Sequence, residues 1–557
     1  MTGGWKNPGI THRKLLFPVL FAVISLLFAA ALLPPEPVWI TDNGNKLMIM
    51  HNFMEHGSIF FDHPSPENFP FGGFHFQTLE NGRITSFHSP YLPVMTAWLC
   101  KISGKAGVLL IPVVSLALIL SVMLEFPGKK YRILIALAAT PLLFYSLLLW
   151  EMIPAALTVT LAAWLFFRGR TTVAGAVFAA GLWMREELWV LGAILALILI
   201  CQRQWKIMWR FALGAAIPAA ALLLCNTLLF GNPAGVHGST YFVNNRPEMT
   251  FYSRFREVIF NFYQHLIRFD TLGRWSAPAA FAVIIPAFAA GFAPGYRRWR
   301  NFKKIAGVIF AAGTLLFAAA LWKEKQYLFI SAVTFGLFIS VPVLAGFLLN
   351  LRPLLCDRNR FTATAARLSL LYILIVPFLL NPHDIGLTWG ARHFIMIIPV
   401  MIGLSIYGMI RAGFFTCTTG KAVCAACAAA GIIMQLYAVT ALVKVTADTE
   451  NLQNEILAIP QKTVVSDLFF IPEMTPQVPF AKTQLEISSA KQLESAINYL
   501  EKENISSFIL ILSPDYRRIS NEQLKLLLHR YPPAGYPVKL NVGNSLDFLV
   551  TLCRKTP

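Results

Sequence analysis

The sequence predicts an α-helical polytopic membrane protein, with about thirteen transmembrane helices and a small carboxyl-terminal α/β domain outside the bilayer. Three observations carry this prediction. Hydrophobic residues make up 56% of the 557 residues and charged residues only 13%. The mean hydropathy is +0.58, which excludes an ordinary soluble globule. Long apolar runs also alternate with short basic clusters, and this alternation stops near position 443.

The formal charge of +19 raises the question of a nucleic-acid partner. The basic residues, however, stand in short clusters between apolar runs, such as Lys129-Lys130-Tyr131-Arg132 and Arg297-Arg298-Trp299-Arg300. Clusters of this kind are typical of the cytoplasmic connections between membrane helices. We therefore expect no nucleic-acid binding, and we use the basic residues as a guide to topology.

Apolar runs of spanning or near-spanning length begin at position 15. The first follows Lys6, Arg13 and Lys14 and lacks a small-residue cleavage site at its end, so we expect a retained helix with a cytoplasmic amino end. The predicted spans are 15–33, 107–125, 132–149, 152–167, 172–184, 188–201, 207–230, 277–296, 305–321, 327–349, 368–380, 393–410 and 422–443.

Charge asymmetry then fixes the predicted sidedness. The inner connections hold the Lys and Arg clusters, the short outer ones are poor in them, and an odd number of spans places the tail outside. We predict a membrane domain at 1–443, with outer loops at 34–93 and 231–276, and an outer α/β domain at 444–557. The tail pattern predicts strands at 463–470 and 507–512, helices at 490–503 and 521–530, and two short strands near Val538 and Phe548.

The first outer loop is too long and too rich in phenylalanine for a plain solvated connection. It has helical spacing at 45–56 and ends in Phe87-His88-Ser89-Pro90-Tyr91-Leu92-Pro93. Ionisable residues collect on the same predicted side, where groups at membrane depth are costly and tend to mark function. They are Asp42 and His88 in the loop, Glu151 between two spans, Arg185, Glu186 and Glu187 at the crest of a close helix pair, and Arg392 and His393 before the twelfth span.

Each candidate has a purely structural alternative. Asp42 begins Asp42-Asn43-Gly44, which is also ordinary turn or helix-cap chemistry. The acidic residues Glu186 and Glu187 have a basic neighbour, Arg185, with which they can simply pair. Arginine and histidine at helix ends also serve as interfacial anchors.

The order of elements resembles that of the GT-C membrane glycosyltransferases, which include protein O-mannosyltransferases and the enzyme that adds aminoarabinose to lipid A. The shared features are one span, a long outer loop with an acidic residue near its start and a Ser-Pro-Tyr-Leu-Pro element at 89–93, a dozen further spans and an outer carboxyl domain. The segment Trp389-Gly390-Ala391-Arg392-His393 is similar to the Trp-Gly-Pro-Arg-Tyr pattern of bacterial members. Asp42 is followed by Asn43, where many members carry a second acidic residue, which leaves a role for a divalent metal open.

The resemblance implies transfer, with inversion, of a hexose or pentose from a polyprenyl-phosphate-linked donor to a lipid, glycan or protein acceptor, lipid A among them. Such a reaction needs a base at the acceptor hydroxyl and cations at the departing phosphate. The resemblance implies Asp42 as the base and Arg392, with His393 and Arg185, as the phosphate-binding set. It implies Glu151, Glu186, Glu187 and His88 as acceptor-side groups, no required cofactor, and a bacterial inner membrane as the location.

Two other classes of protein stay open on the sequence alone. A transporter or lipid flippase would also have many spans with buried charges, but no internal repeat is visible and the long ordered first loop would have no purpose. A non-catalytic assembly protein could use the outer domain to bind a partner. Replacement of Asp42 separates them, because transport should survive it and sugar transfer should not.

Overall fold

The computed structural model describes residues 12–61, 76–79, 82–126, 130–236, 251–269, 272–293, 299–323, 336–379, 392–514 and 518–555. Six helices in these ranges are long and apolar enough to cross a bilayer, and five shorter apolar helices accompany them. A five-stranded sheet lies in the tail. The predicted fold class, a helical membrane protein with a small carboxyl-terminal α/β domain, is confirmed.

The membrane part consists of helices joined mostly by short turns. They are α1 (His12–Leu32), α2 (Thr41–His56), α3 (Tyr91–Ser103), α4 (Gly107–Met123), α5 (Lys130–Ala138), α6 (Leu142–Ser146), α7 (Met152–Phe167), α8 (Thr171–Gly181), α9 (Leu188–Cys201), α10 (Trp205–Phe230), α11 (Phe251–Phe262), α12 (Ser276–Phe292), α13 (Arg300–Leu321), α14 (Leu337–Ser340), α15 (Ala345–Leu349), α16 (Leu351–Leu355), α17 (Arg360–Leu379), α18 (Ile398–Arg411) and α19 (Thr418–Ala458). The first outer loop adds a hairpin of β1 (Phe76–Thr78) and β2 (Ile84–Ser86).

One predicted span, 132–149, is not a continuous helix. Helix α5 ends at Ala138, and only the short α6 follows. Pro141 explains the break, because proline has no backbone N–H to continue the helical ladder. Irregular backbone at membrane depth is tolerated where protein surrounds it, and Leu147 and Trp150 are fully buried here.

The predicted span at 327–349 is also broken in its described part. Helices α14 and α15 are separated by a turn that starts at Pro342, again where a proline withholds a donor. Positions 327–335 lie outside the described residues. Within the second outer loop, 237–250 and 270–271 likewise lie outside them.

The last helix of the membrane part is much longer than the predicted span at 422–443. Helix α19 has 41 residues, a length of about 60 Å, roughly twice the hydrocarbon thickness of a bilayer. It therefore passes position 443 without a break and enters the tail. One continuous helix thus joins the tail to the membrane part. The division of domains at 443 stays a prediction.

The tail folds as an α/β sheet domain. Its elements are β3 (Thr463–Ser466), α20 (Ile471–Met474), α21 (Val478–Ala481), β4 (Thr483–Glu486), α22 (Ala490–Lys502), β5 (Ser507–Leu512), α23 (Asn521–Arg530), β6 (Val538–Val542) and β7 (Leu546–Arg554). The strand order is β4-β3-β5-β7-β6, with β3 parallel to both its neighbours and β7 antiparallel to both of its own. The prediction missed β4 and extended the first strand to 470, whereas β3 ends at Ser466.

The two faces of this sheet pack against different parts of the protein. Because side chains alternate along a strand, Val465 and Leu510 pack with α22 and α23, while Val464 and Ile509 join the core of the helical bundle. The tail therefore packs directly against the membrane part, and α20 and α21 lie beside α2 and α19 respectively.

Candidate active site

Helix α2 carries Asp42 in its first turn. The residue after it makes the capping contacts: the side-chain oxygen of Asn43 accepts hydrogen bonds from the backbone N–H groups of Trp39 and Ile40, at 2.9 and 3.0 Å. Its amide donates to the carbonyl of Pro37 at 2.7 Å. Asn43 thus fixes where the helix starts, and with it the position of Asp42.

The Asp42 carboxylate pairs with a residue 350 positions later. Arg392 opens the 3-10 turn Arg392–Ile397 that leads into α18, and its Nη1 donates to Asp42 Oδ2 at 2.6 Å. The two side chains are only 14% and 12% exposed, so water screens the contact little, and charge-assisted bonds of this kind are strong. His88 Nε2 lies 3.9 Å from the other carboxylate oxygen.

Arg392 also contacts the next residue. Its Nε donates to His393 Nε2 at 3.2 Å, and His393 Nδ1 lies 3.2 Å from Glu187 Oε1. Because Nε2 accepts a hydrogen bond, Nδ1 carries the proton and donates to Glu187. The two contacts therefore fix the tautomer and the orientation of the His393 ring.

A series of polar contacts continues from Glu187 and returns to Asp42. Glu187 pairs with Arg185, Arg185 Nη1 lies 2.8 Å from Glu151 Oε1, and Glu151 Oε2 lies 3.2 Å from Lys46 Nζ. Lys46 then donates to the backbone carbonyl of Asp42 at 3.2 Å. We call this closed set the charge ring; its members are Asp42, Arg392, His393, Glu187, Arg185, Glu151 and Lys46. Its carboxylates and fixed cations alternate, so each buried charge has an opposite neighbour.

Six of the seven members of the charge ring, all except Lys46, form a polar wall of a cavity of about 280 Å³. The lining includes all eight residues selected from the sequence: Asp42, His88, Glu151, Arg185, Glu186, Glu187, Arg392 and His393. They come from distant parts of the chain and meet in one place. Their chemical roles stay predictions.

The opposite wall of the cavity is apolar. Helices α9 and α10 supply Trp189, Val190, Leu222 and Leu223 to the lining, and Trp189 and Leu223 are 44% and 38% exposed. Only 17% of the apolar stretch of α10 that is long enough to cross a bilayer is buried inside the protein. The cavity therefore has charge on one side and a surface suited to lipid on the other.

The element at 87–93 connects the first outer loop to the apolar wall. Ser89 Oγ donates to the Trp183 carbonyl at 2.9 Å, and the Tyr91 hydroxyl donates to Asn226 Oδ1 at 2.7 Å. Asn226 Nδ2 in turn donates to the Pro233 carbonyl at 3.0 Å. These bonds explain why a short polar motif at the end of a long loop lines the same cavity as α10.

Two residues near the cavity were not predicted. Lys46 is 1% exposed. The feature of the sequence that could have indicated it is its position one helical turn after Asp42, on the same face of the helix. His265 lies in a π-helical turn, Tyr263–Ile267, with its ring 5.4 Å from that of His393. Such turns often occur at functional sites, but no sequence pattern distinguishes this one.

Within the described ranges, no group of three or more His, Cys, Asp or Glu side chains is arranged to hold a metal ion. The acidic residues of the charge ring have cationic partners instead. We therefore assign no metal ligand.

The fold, rather than the sequence, relates this chain to known proteins. No family model and no curated protein matches it. Its fold is similar to that of two solved structures of ArnT, in agreement with the fold that the sequence resemblance predicted. The structure of ArnT from Cupriavidus metallidurans in the apo state is 11% identical, with a TM-score of 0.53 and 97% of both chains covered. The structure of the same protein bound to undecaprenyl phosphate is 10% identical, with a TM-score of 0.53, and covers 97% of this chain and 98% of that one. At these identities the likeness concerns the fold.

Proposed function

We propose that this protein is an integral membrane glycosyltransferase, which transfers a sugar with inversion from a polyprenyl-phosphate-linked donor to an acceptor outside the inner membrane. The observation that carries the proposal is the Asp42–Arg392 pair, at 2.6 Å, in a cavity with a charged wall and a lipid-facing wall. The ArnT-like fold supports it, because one of those structures holds undecaprenyl phosphate. The acceptor is a lipid, a glycan or a protein, and the sugar is a hexose or a pentose.

Arg392 is the donor-phosphate ligand in this proposal. A guanidinium has five donors in a planar fork that suits phosphate oxygens, and Arg392 uses Nη1 and Nε in the contacts described above. His393 lies beside it in the lining. Arg185 is already held between Glu151 and Glu187, so it contributes positive potential at a greater distance. The isoprenoid chain of the donor would lie along α9 and α10.

Asp42 is the general base. In the reaction the acceptor oxygen bonds to the anomeric carbon, the bond from that carbon to the phosphate oxygen breaks, the hydroxyl proton passes to Asp42, and polyprenyl phosphate leaves. Before the donor binds, Arg392 is paired with the Asp42 carboxylate. When the donor phosphate also draws on Arg392, the carboxylate is less tightly held and becomes a better base. Glu186, Glu187, Glu151 and His88 line the remaining polar side, where the acceptor would enter.

The test is the Asp42→Asn variant, assayed in membranes with labelled undecaprenyl-phosphate-linked sugars. Loss of the base should lower the transfer rate about 10²- to 10⁴-fold, while binding of undecaprenyl phosphate persists. Asp547→Asn is the matched control, because Asp547 pairs with Lys539 on the surface of the tail. Transfer at the wild-type rate by Asp42→Asn, or no label transferred by the wild-type protein from any donor of this class, would contradict the proposal. Transport that survives the substitution would favour a flippase.

A further inference from the structure

The carboxyl-terminal domain touches the helix that carries Asp42. Gly44 of α2 lies against the backbone of Glu473 in α20 so closely that a Cβ at position 44 would be 1.7 Å from the Glu473 carbonyl oxygen and 2.8 Å from its carbon. No side chain fits in that space. The glycine two residues after Asp42 is thus explained by the approach of the tail rather than by a turn.

A set of polar contacts leads from Glu473 to the cavity. Asn45 Nδ2 lies 3.4 Å from Glu473 Oε1, and the Ser86 hydroxyl donates to Asn45 Oδ1. Ser86 Oγ also accepts the backbone N–H of His88 at 2.9 Å. Asn45 is fully buried and Ser86 nearly so. The contacts therefore connect the tail to two of the elements that line the polar side of the cavity, α2 and the segment starting at Phe87.

Glu473 is suited to a neutral, structural role. Its side chain is 2% exposed, and its Oε2 has no hydrogen-bond partner among the described residues. Burial raises the pKa of this carboxyl well above its usual range; the nearby Asp42 and Glu486 carboxylates add to the rise, while the Asn45 hydrogen bond and Lys46 oppose it. A protonated carboxyl can occupy this space without placing a fourth negative charge beside the charge ring.

A second set of contacts holds the segment just before α2. Gln477 Nε2 donates to Glu36 Oε2 at 2.8 Å, and His51 Nε2 lies 2.8 Å from the same oxygen. The Thr449 hydroxyl of α19 donates to the Val38 carbonyl at 3.0 Å. The approach to α2 is therefore bonded to the tail at two further points.

We propose that the carboxyl-terminal domain positions α2, and that Glu473, acting through Asn45 and Ser86, is a positioning residue for Asp42 and His88. The inference rests on the proposed function, since it assigns to the tail the task of holding the base in place. It also explains why a rigid helix such as α19 joins the two parts: a flexible linker would not keep α20 in contact with α2. A displacement of about 1 Å at a reacting group can cost about 10²-fold in rate.

The experiment uses the full chain in lipid nanodiscs and compares the wild type with Gly44→Ala, Glu473→Gln and Glu473→Ala. The control is Gly403→Ala, where the added Cβ would meet its nearest atom at 3.6 Å, an ordinary contact. Amide hydrogen exchange reports on residues 41–56 and 86–91. Sugar-transfer kinetics give kcat and KM, and titration with undecaprenyl phosphate gives its Kd.

We expect Gly44→Ala to speed exchange at 41–56 and to lower kcat by about tenfold or more, with the Kd changed by less than about twofold. Glu473→Gln, a neutral isostere, should behave like the wild type, and Glu473→Ala should lower kcat as Gly44→Ala does. If Gly44→Ala does not fold, the two Glu473 variants decide. Unchanged exchange and kcat in Gly44→Ala and Glu473→Ala would overturn the inference, as would an equal loss in Glu473→Gln and Glu473→Ala. If the wild type transfers no sugar, the proposed function fails, and the exchange data alone test whether the tail holds α2.

Discussion

Lys46 is the residue whose burial is hardest to explain without the charge ring. Its side chain is 2% exposed, and its ammonium lies 3.2 Å from Glu151 Oε2 and 5.7 Å from the centre of the Trp150 ring. A lysine in this position is stable only because carboxylate and carbonyl oxygens replace its hydration shell. Lys46 thereby compensates Glu151, which leaves Arg392 as the ring cation that contacts the Asp42 carboxylate.

We expect Lys46→Met to lower the free energy of unfolding by about 3 kcal/mol, because it leaves a buried carboxylate with one cation fewer. Lys539→Met is the matched control. Lys539 pairs with Asp547 but is 63% exposed, so its loss should cost less than about 1 kcal/mol. Thermal unfolding in detergent measures both. Equal stability of Lys46→Met and the wild type would mean that Lys46 does not stabilise the charge ring.

The site could be predicted to different degrees at different residues. Asp42 and Arg392 could be predicted from the sequence. Basic clusters indicate which side of the membrane each connection lies on, and polar residues on the same side of the membrane can meet in one site. Lys46 was not, since a lysine after an apolar span usually reaches outward to water or headgroups. Glu473 was not either: it lies in a polar tail where acidic residues are common, and only the packing of the tail on α2 shows that it is buried.

At the level of elements, the packing of α10 depends on two glycines. A Cβ at Gly175 of α8 would lie 2.0 Å from the Phe211 carbonyl oxygen, and one at Gly214 of α10 would lie 1.8 Å from that of Thr172. Small residues that let helix backbones approach are a common means of association in lipid. Because so little of α10 is buried inside the protein, its contact with α8 is a main support of the part of the apolar wall that α10 supplies.

Gly175→Ala and Gly214→Ala should therefore each destabilise the protein by about 1 to 3 kcal/mol, the usual cost of overpacking. They should also weaken binding of undecaprenyl phosphate, because Leu222 and Leu223 of the lining move with α10. Gly403→Ala adds the same methyl group at an uncrowded helical position, so it should be neutral or slightly stabilising. The comparison uses thermal unfolding and ligand titration. Wild-type behaviour of both glycine variants would show that the interface relaxes without cost.

The elements themselves were predictable where the apolar runs were continuous. Helices α9 and α10 lie within a few residues of their predicted bounds. Hydropathy does not show where a run is interrupted, so the breaks near Pro141 and Pro342 were missed although each proline was a local signal. The end of α19 was missed for the opposite reason, since a helix that leaves the membrane loses its apolar pattern but not its helical hydrogen bonds.

At the scale of the whole molecule, the proposed function depends on which side of the membrane the cavity faces. Helix α2 carries Asp42 and Lys46 of the charge ring and lies directly against Glu473 of the tail, so these parts lie on the same side of the membrane. Cys356, which follows Arg352 and precedes Arg358 and Arg360, lies in a basic connection predicted to be cytoplasmic. The proposed donor class depends on this arrangement, because a cavity facing the cytoplasm would have access to nucleotide sugars.

We therefore expect opposite labelling of two single-cysteine proteins by a membrane-impermeant thiol reagent. Tyr536 is fully exposed on the tail, and Tyr536→Cys in a background without other cysteines should react in intact spheroplasts. Cys356, also exposed, should react only after the membrane is permeabilised when it is the sole cysteine retained. The reverse pattern would place Asp42 and Arg392 on the cytoplasmic side, remove the reason for a polyprenyl-linked donor, and make a nucleotide sugar the first substrate to test.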